Sequence, residues 1–348
     1  MMQRSERYPK PKDLPLLYDL PDPFTFFDGS RVENLEDWDR RRQEIKELYQ
    51  FYMYGYYPDT SEEEVDYKVN ENTVSIRIRK ENRETTFNAR FSLPEEKNFN
   101  PPYPVIVVIG FIGEHIPYIT SKGYSVVIFD PYQVAKDDFT HQGAFYEIYP
   151  YSKDVRKSAG VLMAWGWGAS KVMDIICKGA FSKIDPYKSV ITGFSRFGKA
   201  AILAGAFDER FLIVNPHASG AGGTALFRCA SPSSEPFSNL QSPSEAHWFN
   251  DIFREFDDVN RLPFDQHLLL ALCAPRGLII TGGYADLWTD PEGTWRAFLE
   301  AKKVYEFLGY AERIRFAYRE GGHTICREDI DNLIDFCEFI FNKTKRGG

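Results

Sequence analysis

A serine between two glycines is the first group in this sequence that could do chemistry. The stretch GFSRFGKAAILAGAFDERF, from Gly193 to Phe211, follows the strand-like run SVITG and then turns into small and apolar residues. This pattern predicts a sharp strand-to-helix turn that presents Ser195 as a nucleophile. The position where such turns usually hold a second glycine is Phe197, and Gly198 comes one place later. A helix N-cap is the alternative role for Ser195, and this stretch alone favours neither.

Two acids and a histidine follow the serine in the order that a serine hydrolase on a parallel sheet requires. RGLIITGGYADLWTDPEG ends a buried strand and offers Asp286 and Asp290 in the next loop. RFAYREGGHTIC ends another strand and offers His323 after two glycines. Catalytic groups collect at the carboxyl ends of parallel strands, and α/β-hydrolases place serine, acid and histidine in this chain order. The other five histidines lack this combination of placement and order.

These residue types predict acyl transfer through a covalent serine intermediate. Serine is not ionised at neutral pH, so His323 would take its proton as Ser195 attacks a carbonyl carbon. Asp286, or Asp290 as the second choice, would fix the imidazole tautomer and stabilise the imidazolium. The backbone N–H of Arg196, at the positive end of a helix, would meet the oxyanion. The sequence has no HExxH pattern or other metal-ligand cluster and no glycine-rich phosphate loop, so we expect no metal or organic cofactor.

Two cations beside the nucleophile point to a polar substrate. Arg196 follows Ser195 directly, and Lys199 lies one helical turn further on the same face. Cations at a helix N-terminus oppose the helix dipole, so a merely solvated basic helix start is the weaker interpretation. An apolar ester gains nothing from these charges. A substrate with hydroxyl groups, or an acyl oxygen that becomes negative, is stabilised by them.

The elements that must position these residues alternate between buried strands and helices. PVIVVIG, YSVVIFD, SVITG, FLIVNP and RGLIITGG are continuous apolar runs, typical of strands covered on both faces, and helical segments lie between them. This alternation predicts an α/β fold with a mostly parallel sheet between helical layers. VDYKVN, TVSIRIRK and ETTFNARFSLP alternate apolar and polar residues and predict antiparallel strands that extend one edge. We expect one domain over residues 1–348, with residues 1–35 as an extended segment packed on it.

Composition is that of a globular protein without an obvious macromolecular partner. Of the 348 residues 43% are hydrophobic, and a net charge of −8 disfavours nucleic acid or an anionic membrane. The apolar runs fall short of a membrane span. Five cysteines without a CxxC pair, and an N-terminus without an apolar signal core, favour a cytoplasmic location as the sequence stands. A removed leader would instead imply secretion.

Together these motifs resemble the glucuronoyl esterases, carbohydrate esterase family fifteen. The resemblance rests on Ser-Arg-Phe-Gly-Lys followed by SGAGG, and on LPDPF, EAHWFNDIF, LPFDQHLLLALCAPRG, DLWTDPEG and EGGH. It spans about residues 20–341 and implies an α/β-hydrolase fold and a three-layer αβα sandwich. It further implies that Arg196 joins oxyanion stabilisation through its side chain and that four residues bind the sugar: Lys199, Glu245, Trp288 and Gln241. Core packing is the alternative for Trp288, and more strongly for Trp248.

The implied reaction is hydrolysis of glucuronic or 4-O-methylglucuronic acid esters, of the kind that join xylan side chains to lignin alcohols. The implied partner is thus a small or oligosaccharide ester. One departure matters: many members carry a glutamate directly before SGAGG, where this chain has Ala218. The acid must then come from the loop with Asp286 and Asp290. An esterase for acetylated or other small carbohydrate esters, and an inactive carbohydrate-binding relative, are the competing hypotheses.

Overall fold

The computed structural model describes residues 8–344, and nine of its strands form one sheet. The order across the sheet is β1-β2-β3-β5-β4-β6-β7-β8-β9. The strands are β1 (Glu64–Asn70), β2 (Thr73–Lys80), β3 (Arg83–Ser92), β4 (Tyr103–Ile109), β5 (Ser125–Phe129), β6 (Ile184–Phe194), β7 (Ile213–His217), β8 (Gly277–Gly283) and β9 (Ile314–Arg319). Strands β4 to β9 run parallel to one another. Strands β1, β2 and β3 pair antiparallel and extend the sheet at the β5 edge. The predicted mostly parallel sheet with one antiparallel edge is confirmed.

Helices cover both faces of this sheet. They are α1 (Leu35–Tyr49), α2 (Ile116–Ser121), α3 (Pro131–Val134), α4 (Ala144–Ile148), α5 (Val161–Cys177), α6 (Arg196–Phe207), α7 (Phe237–Leu240), α8 (Gln266–Ala271), α9 (Pro291–Phe307) and α10 (Arg327–Thr344). Helices α5, α6, α8 and α9 share the larger apolar core, whereas α2 and α10 share a smaller core on the opposite face. The three-layer α/β-hydrolase architecture is therefore confirmed.

The central strands show why the sequence reads as continuous apolar runs. In β4, Val105 and Val107 enter the larger core, whereas Ile106 and Val108 enter the smaller one. Successive side chains of a strand point to opposite faces, so a strand covered on both faces must be apolar at every position. By contrast, β3 alternates between buried and exposed residues along part of its length, and β1 buries Val65 alone.

The N-terminal segment lies on the larger core. Leu14 is buried, Leu17 donates its N–H to the Asn260 carbonyl at 2.7 Å, and Arg261 Nη1 donates to the Leu14 carbonyl at 2.6 Å. The first seven residues of the predicted segment lie outside the described residues. Because one sheet takes its strands from most of the chain, we keep the single-domain interpretation as a proposal. No helix within residues 8–344 has the length and apolar character needed to cross a bilayer.

Candidate active site

Ser195 lies on a strained turn between β6 and α6. Its backbone has φ 59° and ψ −124°, a conformation that costs energy for any residue with a side chain. Gly193 permits the turn, because a Cβ there would come within 2.3 Å of the Phe197 carbonyl oxygen. Ser195 occupies the N-cap position of α6, but its side chain makes no capping hydrogen bond. The hydroxyl is thus directed away from the helix end.

Phe197, which departs from the usual glycine pattern, packs against a glycine elsewhere. A Cβ on Gly110, which follows β4, would lie 2.3 Å from the Phe197 ring. The room for this side chain is therefore made at Gly110. The close approach to β7 is made instead by Gly198, where a Cβ would lie 2.7 Å from the His217 carbonyl oxygen. The second glycine of the motif is therefore Gly198, because that residue makes the close contact with β7, and position 197 can hold a phenylalanine.

The structure brings the serine, histidine and aspartate selected from the sequence into one hydrogen-bonded chain. His323 Nε2 is 3.0 Å from Ser195 Oγ, and His323 Nδ1 is 2.6 Å from Asp286 Oδ2. The Asp286 side chain is buried, whereas that of His323 is 40% exposed. An ionised Asp286 only accepts hydrogen bonds, so Nδ1 carries the proton and Nε2 is left to accept from the serine hydroxyl. This arrangement can deprotonate Ser195.

Asp290, the second candidate acid, has a different function in the structure. Its carboxylate accepts the backbone N–H of Gly293 at 3.1 Å and that of Ser231 at 3.2 Å, so it caps α9. Its own backbone has φ 53°. Both aspartates are buried, and their hydrogen-bond partners distinguish them. Asp286 faces His323, whereas Asp290 caps α9.

The loop that carries His323 is anchored by a buried ion pair. Arg319, at the end of β9, donates from Nε to Asp329 at 2.8 Å and from Nη2 to the Thr324 carbonyl at 2.6 Å. Asp329 also accepts the Cys326 N–H at 2.8 Å. Sequence reasoning missed this pair, although Arg319 lies only four residues before His323.

No acid replaces the family glutamate at its own position. Ala218 has φ 45° and donates its N–H to the Thr281 carbonyl at 2.8 Å. The neighbouring His217 bonds through Nδ1 to Thr281 Oγ1 at 2.7 Å and through Nε2 to the Thr324 carbonyl at 3.0 Å. Burial lowers the pKa of His217. This histidine is thus a neutral part of the core beneath the site.

The two cations of α6 lie over the same tryptophan ring. The Arg196 guanidinium is 5.5 Å and the Lys199 ammonium 5.6 Å from the centre of the Trp248 ring. Arg196 Nη1 donates to Asp137 Oδ2 at 2.6 Å, and its side chain is 45% exposed. Lys199 is buried, and its ammonium group donates a hydrogen bond to the Ala221 carbonyl. Trp248 is buried as expected, but it also contacts both charges.

Lys199 faces a pair of glutamates. Its Nζ is 3.0 Å from Glu235 Oε2, and Asn239 Nδ2 donates to Glu235 at 3.0 Å and to Glu245 at 2.9 Å. Burial opposes ionisation of Glu235, but the Lys199 charge and the hydrogen bonds from Glu245, Lys199 and Asn239 together outweigh it and lower the pKa of that carboxyl. Burial, and then the Glu235 charge, raise the pKa of Glu245 to about 8. One ammonium thus serves two carboxyl groups.

The remaining predicted sugar contacts lie around this cluster. The Trp288 side chain follows Asp286 closely and is 52% exposed, and its carbonyl accepts the Glu235 N–H at 3.0 Å. Gln241 uses both amide hydrogens inside the protein, on the carbonyls of Phe253 and Phe256 at 2.9 Å each. Only its amide oxygen is left to meet a ligand.

Sequence reasoning missed residues that hold the two cations. Asp137 lies in the loop after α3, eight residues past the end of β5, so the strand-end rule that selected Asp286 does not select it. Glu235 lies in the loop before α7 and Asn239 in α7 itself, ten and six residues before Glu245. Their convergence on Lys199 depends on tertiary folding.

A strained serine at a strand-to-helix turn, hydrogen-bonded to a histidine and through it to an aspartate, is the arrangement typical of serine hydrolases with an α/β-hydrolase fold. Comparison with known families then narrows this class. A family model described as "Glucuronyl esterase, fungi" matches residues 76–309, more than half of the chain. The chain belongs to the glucuronoyl esterase family, whose members are carboxylic ester hydrolases.

Relatives and a solved structure support this assignment. A 4-O-methyl-glucuronoyl methylesterase from Schizophyllum commune is 34% identical, with 88% of this chain and 78% of the relative covered. A multidomain esterase from Ruminococcus flavefaciens is 34% identical over 97% of this chain, which spans about half of that relative, 48% of its length. The structure of a carbohydrate esterase family 15 glucuronoyl esterase from Caldicellulosiruptor kristjansonii is 51% identical, with a TM-score of 0.92 and coverage of 95% and 93%.

Proposed function

We propose that this protein is a serine esterase that hydrolyses esters of glucuronic or 4-O-methylglucuronic acid. Its natural substrate class is the ester that joins the uronate of glucuronoxylan to a lignin alcohol. The observation that carries this proposal is the cluster in which Lys199, on the helix that starts after Ser195, contacts the buried Glu235, while Asn239 links Glu235 to the half-buried Glu245. An acyl group bearing several hydroxyls uses such donors and acceptors, whereas a small apolar acyl group does not.

Acylation starts from the hydrogen bond between Ser195 and His323. His323 takes the hydroxyl proton as Ser195 Oγ attacks the ester carbonyl, and Asp286 stabilises the resulting imidazolium. The backbone N–H and the guanidinium of Arg196 stabilise the oxyanion, where loss of one donor costs about 3 kcal/mol of barrier. The imidazolium then protonates the leaving alcohol. Water, deprotonated by His323, hydrolyses the acyl-enzyme and releases glucuronate and Ser195.

The uronate ring is placed by the residues around Lys199. Lys199 and Glu245 hydrogen-bond the ring hydroxyls, and the exposed Trp288 indole forms one wall of the ring site. Gln241 contributes through its amide oxygen. The names of the relatives, 4-O-methyl-glucuronoyl methylesterase and glucuronoyl esterase, support this assignment of the acyl group.

The test is release of benzyl alcohol from benzyl glucuronate. We expect turnover in the wild-type protein and a loss of about 10⁴-fold or more in Ser195→Ala. Ser121→Ala, which removes an exposed hydroxyl on α2, is the matched control and should keep full activity. Full turnover in Ser195→Ala would contradict the mechanism. A wild-type protein that cleaves acetyl esters but not benzyl glucuronate would favour the alternative esterase.

A further inference from the structure

Asp137 is the centre of a hydrogen-bonded cluster that the reaction described above does not use. It lies in the loop after α3, and its carboxylate accepts bonds from three side chains. Arg196 Nη1 is 2.6 Å from Oδ2, whereas His247 Nε2 and Trp248 Nε1 are 2.8 Å and 2.7 Å from Oδ1. Its side chain is only 15% exposed. The carboxylate thus contacts the side chain of the residue that directly follows the nucleophile.

We propose that Asp137 is a positioning residue that holds the Arg196 guanidinium in the orientation that stabilises the oxyanion. The inference rests on the role proposed above for Arg196. It assigns Asp137 no contact with the substrate. Its contribution to the rate passes entirely through Arg196, and this is what an experiment can separate from a general effect on folding.

Arg196 needs an anchor because its side chain is long and half-exposed. A free arginine has many rotamers, and ordering it during the reaction would add to the barrier. Here Asp137 fixes one edge of the guanidinium while the Trp248 ring, 5.5 Å away, lies against its face. Within residues 8–344, Asp137 is the one side chain whose oxygen accepts a hydrogen bond from this guanidinium. The N–H groups on Nε and Nη2 are therefore left for the oxyanion.

The anchor is itself rigid. His247 and Trp248 are both buried and both donate to the same oxygen of Asp137, which directs the other oxygen to Arg196. Burial opposes ionisation of the carboxyl, but the hydrogen bonds from His247, Trp248 and Arg196 outweigh it and lower its pKa to about 2. Asp137 thus stays ionised across the pH range in which the esterase would work. Preorganised donors stabilise a transition state without the cost of reorganisation.

The experiment is a double-mutant cycle between Asp137 and Arg196. Asp137→Asn keeps the shape but weakens the anchor, and we expect kcat to fall about 10- to 100-fold with little change in KM. Arg196→Ala should lower kcat by at least as much. In the Arg196→Ala background, Asp137→Asn should cost no further activity, because the group it positions is gone.

The control is Asp251→Asn. Asp251 also accepts hydrogen bonds from an aromatic residue and an arginine, Tyr151 and Arg254, but makes no bond to Arg196. We expect its kcat to stay at the wild-type value. Melting temperatures of all variants identify losses that come from unfolding. Should Asp137→Asn fail to fold, Asp137→Glu, which keeps the charge but moves the carboxylate, replaces it in the cycle.

Two results would overturn the proposal. One is an Asp137→Asn variant with wild-type kcat. The other is an equal loss of kcat from Asp137→Asn with and without Arg196, which would show that Asp137 acts through packing of His247 and Trp248. The cycle is run on benzyl glucuronate and on p-nitrophenyl acetate, since every ester forms an oxyanion. A protein that cleaves only the acetate contradicts the proposed substrate, yet still tests Asp137.

Discussion

The site has two parts that balance charge differently. We call Ser195, His323, Asp286, Arg196 and Asp137 the reaction side, and Lys199, Glu235 and Glu245 the ring side. On the reaction side, Asp286 faces one basic side chain, His323, and Asp137 accepts hydrogen bonds from Arg196, His247 and Trp248. On the ring side, Lys199 faces two glutamates, and the second of them has a pKa of about 8. Both carboxylates of the reaction side thus have hydrogen-bond partners within the protein before substrate binds. On the ring side, Glu245 keeps its proton up to about pH 8, so the cluster offers both hydrogen-bond donors and acceptors. Hydroxyl groups, which donate and accept, can bind to such a cluster.

The two sides also differ in how the chain builds them. Ser195, Asp286 and His323 come from the ends of three parallel strands, so strand topology alone brings them together. Lys199 meets Glu235 through a loop of irregular structure. We infer that the sheet sets the chemistry, whereas the loop sets the choice of acyl group. Variants on each side should therefore fail in different kinetic parameters.

The largest effect should come from Asp286→Asn on the reaction side. Loss of the carboxylate charge leaves His323 in the wrong tautomer, and we expect kcat to fall about 10⁴-fold. Asp290→Asn makes the same chemical change four residues further on, and it keeps a residue type that both caps helices and tolerates positive φ. Its kcat should stay near the wild-type value. Steady-state kinetics on benzyl glucuronate compares the two, and a larger loss in Asp290→Asn would reverse the assignment.

On the ring side, Lys199→Ala should raise KM for benzyl glucuronate about 10- to 100-fold. The reason is the loss of a charged donor to the ring hydroxyls. A simple acetyl ester does not reach this cluster, so its KM should change little. An equal rise for both substrates would show that Lys199 supports the fold of the site and does not recognise the ring.

Glu245→Gln should remove a pH dependence from the ring side. Below pH 8 Glu245 is protonated, and above it two carboxylates face Lys199, so KM of the wild-type protein should rise above pH 8. The pKa of Glu245 in the folded protein lies above the ordinary glutamate value of 4.5, so the folded state binds the extra proton and stability falls as pH rises from about 4.5 to 8. Relative to the wild type, the melting temperature of Glu245→Gln should therefore improve towards pH 8. A difference in melting temperature that is constant from pH 5 to 8 would contradict the raised pKa of Glu245.

The smallest effect should come from Asp290→Ala, which acts on stability alone. It removes the cap of α9 and places alanine at a positive φ, and we expect a loss of about 1 to 2 kcal/mol in the free energy of unfolding. Denaturant unfolding measures this loss, and kcat of the folded fraction reports the site. A fall in kcat like that of Asp286→Asn would place Asp290 on the reaction side.

The parts of this molecule that follow local rules could be predicted from its sequence. Apolar runs such as that of β4 identify strands buried on both faces, and the order of Ser195, Asp286 and His323 follows from where such strands end. The sequence places Asp286 first and leaves Asp290 as the alternative, because both follow the same strand. Only the direction in which each carboxylate points separates them.

The parts that depend on distant loops could not be predicted. Nothing near Arg196 in the chain indicates Asp137, and nothing near Lys199 indicates Glu235, since 59 and 36 residues separate the partners. The compensation between Phe197 and Gly110 is of the same kind: each looks unremarkable until β4 and β6 pair. Cations in a sequence indicate that acids lie nearby, but not which acids.

The most direct measurement is kcat/KM for benzyl glucuronate against benzyl acetate, two esters with the same alcohol and different acyl groups. If the ring side recognises a uronate, the glucuronate ester should be preferred by about 100-fold or more, a difference that one or two charged hydrogen bonds supply. Equal values, or a preference for the acetate, would contradict the claim that this site is built for glucuronoyl esters.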